Sequence, residues 1–432
     1  MLRGCAVIDE YRRKYAYAED YGTSQFKFGP VAEKPYVVEN RGVITSELES
    51  KLLLELFGVS KPVIVGEEVS RYLPAVDSLG RSLIYPMHDG LVDRGNERAW
   101  LVIKEITRYG FERSLRDLQK PRDFDGFYVT AALSAIAPKY MYEKLFDIHT
   151  ELDKDGRYIK AVTIIPQPLA VAIAEKTTEC IVVESGHGNT QITPIVVYPV
   201  RDAITVLNRG GAEADAVAAE ILRDLGYEDR AREEKFVRLF KESVGLIPRD
   251  LNTAIEKAKR EPERFRVVFK VPRTTIEIDM GANSWMRFLI GEIIFNPTHE
   301  IFESYYKRGM PRPRDTVVGG QKLPGTLPLG EAIEYSINKT SFEAQQQIRV
   351  VILSGGNFAW RVPPGLEDVA VNSAEKVSLQ LKARGLDYAV KLVSDPLYSV
   401  WKGGIVYSLA VPDSVEWSWD RMEGWYKRGV HY

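Results

Sequence analysis

Cysteine, histidine and long apolar runs are all scarce in this chain. Only two cysteines occur in 432 residues, Cys5 and Cys180. Each sits beside an apolar, strand-like run. That excludes a disulfide framework and reads as reduced core thiols in a cytoplasmic protein. No apolar run approaches the ~18 residues of a membrane span. No charge of one sign dominates: 58 basic residues face 60 acidic ones, for a net charge of −2. General attraction to nucleic acid is thereby excluded. The N-terminal residues Met1–Gly4 lead straight into a strand pattern, so no signal peptide is expected. What remains is a chain with 45% hydrophobic residues, long enough for two or more domains with full cores.

Strand and helix patterns alternate, which predicts an α/β class. Residues 5–9 read as a strand. Residues 12–28 alternate aromatic and polar side chains, as in a hairpin. Helices are predicted over 46–57, over 97–109 with a stop at Gly110, over 140–150, 166–175 and 211–225, and over 331–347. A charged helical stretch over 231–260 breaks near Pro248. Residues 265–280 read as paired strands, 311–328 as a long Gly/Pro loop, and 349–353 as a strand. The aromatic tail (Trp417, Trp419, Trp425, Tyr426) reads as a helix packed on the first lobe.

The strongest chemical signal runs from Ile181 to Val197. An apolar run breaks into Glu184-Ser185-Gly186-His187-Gly188-Asn189-Thr190 and a second apolar run follows. That is strand, tight turn, strand. Its glycines let backbone approach a ligand closely, and successive N–H groups in such a turn form a concave anion site. A carboxylate at its entry, Glu184, can face a metal ion riding on that anion. The turn therefore reads as a phosphate clamp, and its ligand as a nucleotide. Val7-Ile8-Asp9 repeats the apolar-strand-then-acid pattern of Val182-Val183-Glu184, as two related lobes would. Ser354-Gly355-Gly356 and Asn357 follow another buried strand; they suit either close contact with a ring or phosphate, or an ordinary turn. Read alone, Asp9 is equally a solvated strand-end acid, Gln167 a helix cap, and Lys241-Glu242 an exposed helical face.

Three further blocks are informative: Tyr398-Ser399-Val400-Trp401-Lys402-Gly403-Gly404, Tyr85-Pro86-Met87-His88-Asp89-Gly90-Leu91-Val92, and Val237-Arg238-Leu239-Phe240-Lys241-Glu242. With the order of Asp9, Gln167, Glu184, Gly210-Gly211 and Ser354-Gly355-Gly356, the whole chain resembles the actin family, and within it the archaeal actins (crenactins). The resemblance implies an actin-like ATPase fold: two ribonuclease H-like lobes, four subdomains and a nucleotide in the cleft. Subdomain 1 would comprise 1–30, 82–174 and 399–432. Subdomain 2, the mobile filament contact with Leu52, Leu53, Leu54, Leu56 and Phe57, would be 31–81. Subdomain 3 would comprise 175–208 and 303–398, and subdomain 4 209–302.

The resemblance also implies the site. Asp9 and Glu184 would hold Mg²⁺ through water. Gln167 would orient the attacking water, and Lys14 would contact phosphate. Ser185, Gly186, His187, Gly188 and Asn189 would cradle the phosphates. Gly210 with Asp215 would match the family's glycine–aspartate segment at the nucleotide. Arg238, Lys241 and Glu242 would lie around the adenosine, and Gly355 and Gly356, followed by Asn357, would be the adenosine-side glycine pair. The chain departs from the family at Glu184, where an aspartate is expected; at His187, where an acid is; at Gln191, where a histidine is; at Leu397, where a lysine is; and in Asp9-Glu10-Tyr11-Arg12-Arg13, which lacks Gly-Ser-Gly. These departures point to slow hydrolysis. The implied function is a cytoplasmic, cytoskeletal protein that binds ATP/ADP with Mg²⁺ and polymerises with copies of itself, with possible accessory cytoskeletal proteins. The alternative is a non-filamentous nucleotide-binding scaffold.

Overall fold

The computed structural model describes residues 10–45, 61–70, 83–318 and 320–427. Asp9, Cys5, the strand expected over 5–9 and the helix expected over 46–57 lie outside the described residues. The chain divides into two units: Met1–Thr177 with Tyr398–Tyr432, and Thr178–Leu397.

In the first unit a six-stranded sheet runs Tyr426–Lys427, Ile159–Pro166, Phe127–Leu133, Ala16–Tyr21, Gln25–Pro30, Tyr36–Glu39. The Ala16–Tyr21 and Phe127–Leu133 strands pair in parallel, and Ala16–Tyr21 forms an antiparallel hairpin with Gln25–Pro30. Side chains alternate across a strand. Tyr17 and Tyr21 therefore share one core with residues of the Glu97–Asp117 and Lys139–Leu152 helices, while Ala18 packs with Trp401 and Ile405 of the Ser399–Ala410 helix. That last helix lies tight on Gln167–Ala174: a Cβ at Gly403 would sit 1.8 Å from the Ala170 carbonyl oxygen.

The second unit repeats this plan. The Glu179–Ser185 and Thr190–Val196 strands form an antiparallel hairpin, and Glu179–Ser185 pairs in parallel with Val350–Ser354. Helices Gly211–Asp224, Glu234–Val244, Leu251–Arg260, Leu329–Asn338 and Ser373–Lys382 contribute to its core, and Arg287–Phe295 is buried throughout. Cys180 is a buried free thiol, pushed up to about 12 by burial. No helix among the described residues is long and apolar enough to cross a membrane.

Several sequence expectations are corrected. The helix predicted to stop at Gly110 runs on to Asp117. Gly110 is there for close packing, since a Cβ would meet Phe28 and Tyr17 at 3.2 Å. The 331–347 helix is two helices, the second capped by Ser341, whose hydroxyl accepts from the Ala344 N–H. The 311–328 loop contains a small hairpin, Thr316–Val318 with Gln321–Leu323. The aromatic tail is not a helix. Met422 (φ 55°) and Gly424 (φ 99°) close a turn, and Trp425 is fully buried beside Tyr128 and Ala161.

A buried ion pair inside the second unit has a measurable consequence. Lys376 Nζ lies 2.8 Å from Glu292 Oε2 and also donates to the Pro248 carbonyl. Burial raises the Glu292 carboxyl from 4.5 to about 7, against the pull of Lys376. The folded value is above the unfolded one. Its stabilising contribution is thus full below pH 4.5 and is lost as pH rises through about 7. Glu292→Gln should remove this dependence. The stability difference between wild type and variant, from urea unfolding at pH 4 and pH 8, should change by about 3 kcal/mol.

Candidate functional site

The site in the second unit is built on the turn between Glu179–Ser185 and Thr190–Val196. The Gly186 N–H donates to the Asn189 carbonyl at 3.0 Å and closes the turn. The helix beginning at Gly211 is stapled to it: the N–H groups of Gly211 and Ala212 donate to the carbonyls of Gly186 and His187, each at 2.9 Å. Gly210 must lack a side chain, because a Cβ there would lie 2.5 Å from the Gly186 oxygen. Gly355 closes the other side with φ 101°, and its Cβ would lie 2.1 Å from the Ser185 oxygen. Asn357 Nδ2 donates to Gly186 O at 2.6 Å and to Ser185 Oγ at 3.0 Å. Ser185 Oγ also meets Thr190 Oγ1 at 2.7 Å.

The carbonyls of Gly186, His187 and Asn189 are thus engaged. Among the described residues, no acceptor meets the N–H groups of His187 and Gly188. Two adjacent N–H groups beside a helix N-terminus form an anion site.

Charged groups rim this turn. Glu184 accepts from Gln191 Nε2 at 3.2 Å. Asp215, on the stapled helix, pairs with Lys241 at 2.8 Å and faces His187 Nδ1 at 3.6 Å. Burial holds the His187 imidazole below its ordinary value; Asp215 opposes that, and Lys241 and Arg238 reinforce it. The histidine is neutral at pH 7. Arg238 pairs with Glu234 at 3.2 Å, one turn before Lys241. Glu242 is exposed on the same helix. Gly356 lies against Leu397 rather than against the turn. The structure therefore brings together Glu184 to Asn189, Gly210, Gly355, Asn357 and, through Asp215, Lys241. It does not bring Arg238, Glu242 or Gly356 into contact with the turn.

The first unit corrects the N-terminal reading. Lys14 lies on a helix, Glu10–Tyr15, not on a hairpin. Its ammonium is half exposed and pairs with Glu10 at 3.8 Å and Asp123 at 3.5 Å. Tyr11 and Tyr15 are one helical turn apart and pack at a tilt with ring centroids 4.6 Å apart, with Tyr15 edge-on to Phe124 at 5.1 Å. Helical period therefore wins over alternation here.

The hairpin that matches Glu184's begins later. Its turn is Gly22-Thr23-Ser24-Gln25, closed by the Gly22 N–H on the Gln25 carbonyl at 3.0 Å, the same bond that closes the Gly186 turn. Asp20 pairs across with Lys27, as Glu184 pairs with Gln191, in each case the second pair from the turn. Asp20 Oδ2 accepts from Lys27 Nζ at 2.9 Å, and Oδ1 accepts from Gln167 Nε2, also at 2.9 Å. Gln167 is buried at the head of its helix, so it joins this cluster. The two hairpins follow one pattern, with Asp20 and Glu184 as their acids, while Asp9 lies outside the described residues. The shared signal was acid, any residue, glycine: Asp20-Tyr21-Gly22 against Glu184-Ser185-Gly186.

Among the described residues, no three or more His, Cys, Asp or Glu side chains could together hold a metal ion. A cation at either hairpin would need water and phosphate for most of its ligands, as Mg²⁺ does.

The actin family model matches residues 80–413. Actin-related protein 2 of Acanthamoeba castellanii is 23% identical over 373 residues, covering 84% of each chain. Actin-related protein 3 of Drosophila melanogaster is 23% identical over 351 residues, covering 76% of each.

Proposed function

The chain belongs to the actin family, and from that premise we propose that it binds ATP with Mg²⁺, polymerises with copies of itself and hydrolyses the nucleotide slowly. We further infer the four-subdomain division of the family and a place beside its archaeal members. One observation carries the nucleotide reading. Gly210 and Gly355 leave no room for a side chain around a turn whose His187 and Gly188 N–H groups meet no acceptor among the described residues. Such a cradle fits a phosphate chain. Calorimetric titration with ATP and Mg²⁺ tests it; absence of heat at millimolar nucleotide would refute it.

The residues present fit the ion as well as the phosphate. Glu184 is the carboxylate at the turn that would hold Mg²⁺ through water. When bound, the ion offsets phosphate charge. In the first unit, Asp20 holds both Lys27 and Gln167 in place. Lys27 would contact phosphate as a point charge. Gln167 Nε2 donates both to Asp20 and to the Tyr21 carbonyl, and this side chain would orient the attacking water. No strong general base accompanies it, which is why turnover is expected to be slow.

Two variants separate these roles. Lys27→Ala should weaken ATP binding by about 1.5–3 kcal/mol, roughly 10- to 100-fold in Kd. Gln167→Ala should leave Kd within about twofold and lower phosphate release about 100-fold. Equal loss of binding in both variants would overturn the division.

A second reading is a nucleotide-binding scaffold that does not polymerise. It is favoured by the neutral His187 and by the pairing of Asp215 with Lys241, which leave the turn poor in negative charge. Sedimentation at rising protein concentration with ATP and Mg²⁺ decides: pelletable polymer supports the first reading, and its absence the second.

A further inference from the structure

Arg209 is among the largest fully buried side chains in the protein, and among the described residues no carboxylate forms an ion pair with it. Burying a guanidinium is costly unless its donors are used. Here Nε donates to the Ile294 carbonyl at 3.2 Å, Nη1 to Gly325 at 2.6 Å and Nη2 to Leu327 at 2.9 Å. Ile294 lies in the last turn of the Arg287–Phe295 helix, whose partial negative charge suits a cation.

Its backbone faces the other way. The Arg209 carbonyl accepts from Thr190 Oγ1 at 2.8 Å, and Thr190 Oγ1 meets Ser185 Oγ. The next residue is Gly210, packed on the turn. Asn208 repeats the arrangement on the loop side: its N–H donates to Thr316 Oγ1 at 3.1 Å and its Nδ2 to the Asp315 carbonyl at 3.2 Å. The loop is no loose tether. A Cβ at Gly325 would lie 2.3 Å from the oxygens of Pro313 and Arg314, so the two arms close on each other.

We propose that Asn208 and Arg209 couple the phosphate turn to the loop spanning 313–318 and 320–327. A ligand at the turn fixes Gly210 and so stiffens the loop; whatever steadies the loop raises ligand affinity by the same factor. Arg209 is a positioning residue in this scheme, since its side chain acts through the backbone of its own residue and of Gly210. This rests on the nucleotide reading above, but it concerns a part of the chain that reading does not use. The loop carries Val317, 70% exposed, at a surface far in sequence from the turn.

The test measures hydrogen exchange with and without ATP and Mg²⁺, alongside calorimetric binding. In the wild type, nucleotide should slow exchange about fivefold or more both at 186–211 and at 314–318 with 320–327. Arg209→Lys keeps the charge but not the three-way grip. It should still bind nucleotide, with protection confined to 186–211. Should that variant fail to fold, Asn208→Ala removes only the partly exposed contact to Asp315 and should at least halve the loop's response. Protection at the turn without protection of the loop in the wild type overturns the coupling. So does an undiminished loop response in the variants. Absence of nucleotide binding overturns the reading beneath it, and the coupling with it.

Discussion

Gly403→Ala is expected to melt the first unit about 6–12 °C earlier, a loss of about 3 kcal/mol or more for a unit of this size. The added Cβ would sit 1.8 Å from the Ala170 oxygen and 2.4 Å from its carbonyl carbon. Both are backbone atoms, so no side-chain rotation relieves the contact. The Ser399–Ala410 and Gln167–Ala174 helices must separate instead. Separation pulls Trp401 from its buried seat, where its indole N–H donates to the Gly29 carbonyl at 3.3 Å, and opens voids along a well-packed seam. It also shifts Gln167, which heads the displaced helix. Phosphate release should therefore fall further than ATP affinity. Calorimetric melting reads the first effect and steady-state turnover the second. A variant melting within about one degree of wild type would show that the helices part at little cost.

Gly355→Ala should weaken nucleotide binding at least 100-fold, about 2.7 kcal/mol. Two causes act together. At φ 101° an alanine is strained, by about 1–3 kcal/mol. Its Cβ would also lie 2.1 Å from the Ser185 oxygen, 2.6 Å from its carbon and 2.8 Å from its nitrogen. The end of the Val350–Ser354 strand must withdraw from the turn, and Asn357 then loses its grip on Gly186. Gly365 supplies the control. It has φ 85°, but a Cβ there would meet nothing within 4 Å. Gly365→Ala should therefore cost stability of about 1 kcal/mol through strain alone and leave binding unchanged. Titration of both variants with ATP distinguishes crowding from strain. Equal affinities would mean the strand end tolerates a methyl group.

The second hairpin was legible because it obeys simple rules: an apolar strand, a glycine turn, an apolar strand. Gly210, Gly355 and Asn357 were recognisable from the family resemblance and meet at that turn. The first hairpin was hidden by its own burial. Ala16–Tyr21 is buried at every position yet carries Glu19 and Asp20, so it looks half polar. Glu19 is tolerated because His149 Nε2 lies 2.8 Å from its carboxylate and the Tyr21 hydroxyl donates to it at 3.0 Å. Asp20 is tolerated because Lys27 and Gln167 reach it. Those partners are up to 147 residues apart in sequence, and no local pattern announces them. The lysine taken from the family resemblance, Lys14, lies on a helix instead of in a hairpin, and Asp9 lies outside the described residues. Arg209 was unreadable for a related reason. An arginine beside two glycines looks like a surface cation until the carbonyls of Ile294, Gly325 and Leu327 are seen around it.

The matching turn bonds of Gly22 and Gly186, with an acid at the same register in each, are what a duplicated ancestral module leaves behind. Once copied, the halves were at liberty to diverge. One carries a cation opposite its acid, Lys27, while the other has the neutral Gln191. Specialisation of this sort leaves one twin supplying charge and the other shape.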